Sequence, residues 1–163
     1  LLAALFKFDH FEWMIEKATE LGVERITPVV CIRSEKGLDT AAEKRRTRWE
    51  KIVREAGQQS RRLRPLEIGP VISLKDALNT EAETRLFLDE SEDAPPILAT
   101  LTTPSAPAAL LCGPEGGWDP REREAALHAA WQPVSLGPLI LRAETAALAA
   151  LAVLAAARDS AAG

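Results

Sequence analysis

Residues 136–148 read L-G-P-L-I-L-R-A-E-T-A-A-L, and residues 111–117, L-C-G-P-E-G-G, are built on the same plan. Each is a short apolar run of strand character that breaks at Gly-Pro and leads into a helical pattern. A strand-to-helix turn with glycine lets backbone N–H and C=O groups approach a small molecule, and the end of a parallel sheet is where such molecules usually sit. Two such turns in one domain predict one pocket built from both. The plainer reading of each is a tight connection without a ligand.

Neither turn is a common nucleotide cradle. A phosphate-binding loop ends in Gly-Lys-Ser/Thr, and a dinucleotide fingerprint is G-x-G-x-x-G at a helix start; the chain has neither. Glu115 sets a carboxylate inside the first turn, which repels phosphate but accepts hydrogen bonds from an amine or hydroxyls. The expected ligand is therefore cationic or neutral.

Outward from these turns, apolar runs of strand length alternate with helical patterns, as in an α/β domain with a largely parallel sheet. Strands are expected at 2–6, 26–32, 66–68, 85–88, 108–112 and 134–136. A helix over 11–21 closes with Gly22 as a left-handed cap. Another over 40–59 turns Trp49, Ile52, Val53 and Ala56 to one side and its basic residues to the other. Asp119, Pro120 and Glu122 form a compact helix start directly after the 113–117 turn. Residues 89–107, rich in Pro, Ala and Thr, read as a surface connection. The last helix, 144–158, is almost free of charge inside, so it is expected to be buried on most sides or to pack on a second copy.

At 163 residues the chain suits one domain, 1–163, with a core that needs no disulfide. No apolar run reaches the length of a membrane span, and the opening L-L-A-A-L-F lacks the basic leader and cleavage site of a signal peptide. Cys31 and Cys112 lie far apart in apolar runs, which suggests neither a disulfide framework nor a zinc site and points to the reducing cytoplasm. Net charge is −4, yet residues 39–64 hold nine basic side chains against four acidic ones. That excess on an acidic domain is what a local nucleic-acid footprint produces, or else a solvated helix face. His10 and His128, with no Cys or carboxylate at ligand spacing, read as structural or solvent-facing, so no metal is expected. Trp13, Trp49 and Trp131 read as core residues. Trp118, beside the glycine turn, reads as a ligand cover or a core anchor.

Together, Cys112-Gly113-Pro114-Glu115-Gly116-Gly117, Leu136-Gly137-Pro138 and Leu141-Arg142-Ala143-Glu144-Thr145-Ala146 resemble the signature of the RsmE family, the bacterial 16S rRNA (uracil-N3) methyltransferases. Further blocks resemble the family in the same order: K-A-T-E-L-G-V at 17–23, I-T-P at 26–28, R-S-E at 33–35, and Gln59-Ser60 followed by Arg62 and Arg64. The chain departs at Gln58, where members have Glu, and at Arg61, where they have Gly. Members also carry an N-terminal barrel-like RNA-binding domain, which implies that this chain is the methyltransferase portion of a longer protein.

The resemblance implies a fold of the SPOUT type, a mostly parallel sheet flanked by helices with a C-terminal trefoil knot, acting as a homodimer. It implies S-adenosylmethionine (AdoMet) as cofactor, held by Leu88, Gly113, Glu115, Gly116, Gly117, Leu136, Gly137, Leu141, Arg142, Thr145 and Ala146. The implied partner is 16S ribosomal RNA or the small-subunit particle, contacted through Arg33, Arg62 and Arg64. Methylating uracil N3 requires loss of an imide proton, and the charge left is shared with the flanking carbonyl oxygens; Arg142 is the candidate to stabilise it. Glu144 is a candidate base or an N-terminal helix carboxylate. Two readings compete: a related methyltransferase acting on tRNA ribose, and an RNA-binding module that keeps the fold without turnover.

Overall fold

The computed structural model describes residues 1–103 and 106–162, so residues 104 and 105 of the expected connection lie outside the described residues. Seven short strands, β1 (Leu2–Ala4), β2 (Arg25–Val30), β3 (Glu67–Ile68), β4 (Ile72–Ser73), β5 (Thr84–Leu88), β6 (Ala108–Cys112) and β7 (Gln132–Val134), make one sheet. Its order is β3-β2-β1-β6-β5-β7, with β4 also on β2, and every ladder is parallel. Central β1 is buried along its whole length, as expected for a parallel strand covered on both faces.

Helices α1 (Phe8–Glu20), α2 (Leu38–Gln59) and α6 (Ala143–Ala162) flank the sheet, together with the shorter α3 (Leu74–Ala77), α4 (Ile97–Thr100) and α5 (Pro120–His128). One core cluster joins Phe11, Ile15, Trp49, Leu110 and Ala147; a second, containing Phe87, Leu111, Ala126 and Trp131, lies across the sheet. Asp119 caps α5 as expected: its side chain accepts the Arg121 N–H at 3.1 Å, while Glu122 returns to the Asp119 N–H at 3.3 Å.

Two expectations need correction. Strand β7 starts and ends two residues earlier than 134–136. Trp13 is exposed on α1 instead of in the core. Within this chain helix α6 is buried along one face, at Ala147, Ala150 and Leu151, while Ala152 and Ala156 face outward.

Candidate functional site

The carboxyl ends of β1, β5, β6 and β7 surround a cavity of about 450 Å³, within the size range of small-molecule sites. Leu88, Asp89 and Glu90 leave β5 into its wall. Gly113, Glu115, Gly117 and Trp118 follow β6, and Leu136, Gly137, Leu141, Arg142 and Ala146 follow β7. Lys7 and His10 enter from the β1–α1 junction. The two glycine turns thus meet in one pocket.

The walls are cross-braced. The Trp118 indole N–H donates to the Leu88 carbonyl at 2.7 Å, tying the loop after β6 to the end of β5. Gly113 sits under that ring: a Cβ there would lie 2.9 Å from Trp118 Cε2. Gly117 has φ +71°, and a Cβ on it would meet the Glu90 carboxylate at 2.6 Å. Gly137 has φ +123° with open space around it, so backbone conformation rather than crowding favours glycine there. Its N–H donates to Ser135 Oγ at 3.1 Å.

Two proposed cofactor residues stand outside the cavity lining. Gly116 turns toward Arg33, whose Nη1 donates to its carbonyl at 2.9 Å. Thr145 is exposed on the first turn of α6. Arg142 borders the cavity from an exposed position, and Glu144 is buried beside it. Buried Glu122 accepts the Ile32 N–H at 2.7 Å, so the loop after β2 and the helix after the glycine turn share one carboxylate. Cys112 also borders the cavity, but burial pushes its thiol up to about 12, as it does that of Cys31. Neither is a thiolate nucleophile near neutral pH.

Several residues at the site carry no local signal in the sequence. His10 lies with Nδ1 3.4 Å from Glu144 and 3.9 Å from Glu115. Leu139 and Ile140 line the cavity mouth although they are 78% and 84% exposed, an unusual investment of apolar surface at a rim. Lys7, Asp89 and Glu90 carry no motif either; a carboxylate following an apolar strand is the one hint.

Four of the nine basic side chains of residues 39–64 are engaged within the fold. Arg45 and Arg48 bind the two oxygens of buried Glu12, at 2.8 and 2.7 Å, and Arg46 donates to the carbonyls of Ile68 and Gly69. Arg62 donates to the carbonyls of Thr19, Val23 and Arg64, fastening the end of α1 to the turn after α2. Lys44, Lys51, Arg54, Arg61 and Arg64 remain exposed. Arg62→Ala is accordingly expected to lower stability by about 2–3 kcal/mol through lost charge-assisted bonds, seen as an earlier urea midpoint. An unchanged midpoint would return Arg62 to the surface role.

Residues 1–155 match the RNA methyltransferase domain family. The chain belongs to that family. Among relatives of this methyltransferase domain, the ribosomal RNA small subunit methyltransferase E of Mesomycoplasma hyopneumoniae is 35% identical, over 91% of this chain and 65% of the relative. The protein of the same name from Synechocystis is 36% identical, over 93% and 51%. The chain thus spans between half and two thirds of their length. Two solved structures share the fold: a ribosomal RNA small subunit methyltransferase E from Neisseria gonorrhoeae bound to S-adenosyl methionine (TM-score 0.84, 35% identity, 94% of this chain and 63% of that one), and a methyltransferase from Legionella pneumophila in complex with the same cofactor (0.88, 32%, 96% and 65%). The family resemblance of the two glycine turns is borne out, as is the parallel sheet flanked by helices.

Proposed function

We propose that this domain binds AdoMet between its two glycine turns and methylates N3 of a uridine in small-subunit ribosomal RNA. The observation that carries the proposal is the single cavity formed by both turns, with Arg142 on its wall and Glu144 buried behind. The cavity suits the cofactor: Leu88, Leu136, Leu141 and Trp118 offer apolar surface for a flat base, and Glu90 and Glu115 offer acceptors for hydroxyls and an ammonium. When bound, AdoMet supplies a methyl group on a sulfonium. The residues of the chain hold the cofactor, exclude water and set a guanidinium where charge develops as N3 loses its proton.

The test is transfer of a labelled methyl group to small-subunit particles, followed by nucleoside mass spectrometry. The expected product is 3-methyluridine, and Arg142→Ala should lower kcat about 100-fold or more. A ribose-methylated product would favour the tRNA-type alternative. AdoMet binding without transfer would favour an RNA-binding module.

Three further parts of the reading belong here. The trefoil knot is supported by the family resemblance and by likeness to the methyltransferase structures. A homodimer is supported by exposed Leu139 and Ile140 at the cavity mouth and by the outward alanines of α6, which an isologous contact would cover; light scattering at micromolar concentration should give twice the chain mass. Cytoplasmic location is supported by the ribosomal substrate. Among the described residues, no helix is long and apolar enough to cross a membrane.

A further inference from the structure

We propose that His10 takes the N3 proton and that Glu144 is the positioning residue that fixes its tautomer; the inference rests on the uracil-N3 reading above. Three carboxylates from three parts of the chain converge on this imidazole. Glu144 Oε1 lies 3.4 Å and Glu115 Oε1 3.9 Å from Nδ1, and Asp9 Oδ2 lies 3.7 Å from Nε2.

Glu144 is badly placed to take a proton from a substrate. It is only 6% exposed, lies outside the cavity lining, and its Oε2 is buried without a hydrogen-bond partner. His10 has the complementary placement: its side chain is one-third exposed and borders the cavity, while Nδ1 is buried and turned to the carboxylates. One nitrogen therefore meets the orienting acids and leaves Nε2 for the substrate, the arrangement of an acid–base imidazole. The 3.4 Å separation exceeds a formed N–H···O bond. Such contacts are often long before substrate binds and tighten as the ring becomes charged. Exposed Asp9, 3.7 Å from Nε2, is too far for a formed hydrogen bond.

In the reaction, the imide proton passes from N3 to His10 Nε2. The electron pair left on N3 forms the bond to the methyl carbon as the carbon–sulfur bond breaks, and sulfur keeps the pair of that broken bond, leaving a neutral thioether. The imidazolium then returns its proton to solvent. An imidazole side chain is intrinsically a stronger base than a carboxylate. Glu115, Glu144 and Asp9 face this ring, and Lys7 and Arg142 lie on the same cavity wall.

Nitrogen NMR of His10 tests the tautomer independently of turnover. The expected neutral form carries its proton on Nδ1 in the wild type and loses that preference in Glu144→Gln. A wild-type proton on Nε2 overturns the proposal. On small-subunit particles, His10→Gln should lower kcat about 100-fold or more, keep AdoMet affinity within about threefold, and remove the acid limb from the pH profile of kcat/KM. Wild-type kcat with the limb intact would overturn it, as would AdoMet affinity and thermal stability falling together while the limb remained. Inactivation by a chelator with rescue by Mn²⁺ would assign the cluster to a divalent cation instead. A wild-type product other than 3-methyluridine would sink the functional reading itself, whereas a fully active His10→Gln would sink only this one.

Discussion

Trp49→Ala should destabilise the domain by about 3–5 kcal/mol, the cost of removing a large buried aromatic and leaving a cavity. Trp49 is 1% exposed, with its ring centroid 5.0 Å from Phe11 and 6.0 Å from Phe8, so it packs α2 onto α1. At 2–4 °C per kcal/mol for a domain of this size, the melting temperature should fall by roughly 6–20 °C. The indole N–H finds no acceptor among the described residues. Trp49→Phe therefore sacrifices volume but no hydrogen bond, and should lose far less. Calorimetry of the two variants separates packing from polarity; equal losses in both would contradict this account.

That residue was readable because α2 repeats its apolar positions with helical period, and the same logic located most of the sheet. Strand β6 falls where its uninterrupted apolar run places it. Strand β7 does not, and Pro133 is the reason. A proline argues against a strand interior, yet β7 ends the sheet order, laddered with β5, where a missing N–H is tolerated. Strand β4 and helices α3 and α4 are too short to show a period, and α1 starts at Phe8 without a side-chain cap to announce it. Trp13 shows the limit of composition: an aromatic residue on an amphipathic helix can still face water.

The two halves of the cavity were legible because each is a local turn. The meeting of His10 with Glu144 was not, since it depends on α6 packing against α1, elements more than a hundred residues apart, which no local pattern encodes. A count of charges over residues 39–64 likewise says nothing of their partners: buried Glu12 together with a few backbone carbonyls occupies Arg45, Arg46, Arg48 and Arg62, while Lys44, Lys51, Arg54, Arg61 and Arg64 stay exposed. Arg61 is more informative. It adopts φ +56°, in the left-handed region that glycine favours, at the position where the family pattern has Gly.

Gly113→Val should weaken AdoMet binding by roughly ten- to a hundredfold while leaving the fold in place. Even the first added carbon would stand 2.9 Å from the Trp118 ring, with two more ring atoms at 3.2 Å, so the indole must move. Moving it breaks the 2.7 Å bond to the Leu88 carbonyl, which alone joins the ring to the end of β5 among the described hydrogen bonds. Losing one such partly buried bond costs about 1–3 kcal/mol, and each 1.4 kcal/mol is tenfold in affinity. Gly116→Val makes the useful contrast. Its first added carbon would come no closer than 3.4 Å, to the Arg33 side chain, and points away from the cavity, so affinity should change by less than about threefold when the Arg33 bond to the Gly116 carbonyl survives. Calorimetric titration of both folded variants with AdoMet checks the pair. If Gly116→Val were the more damaging of the two, the cofactor would have to lie on the Arg33 side of the loop, and the pocket assignment would be wrong.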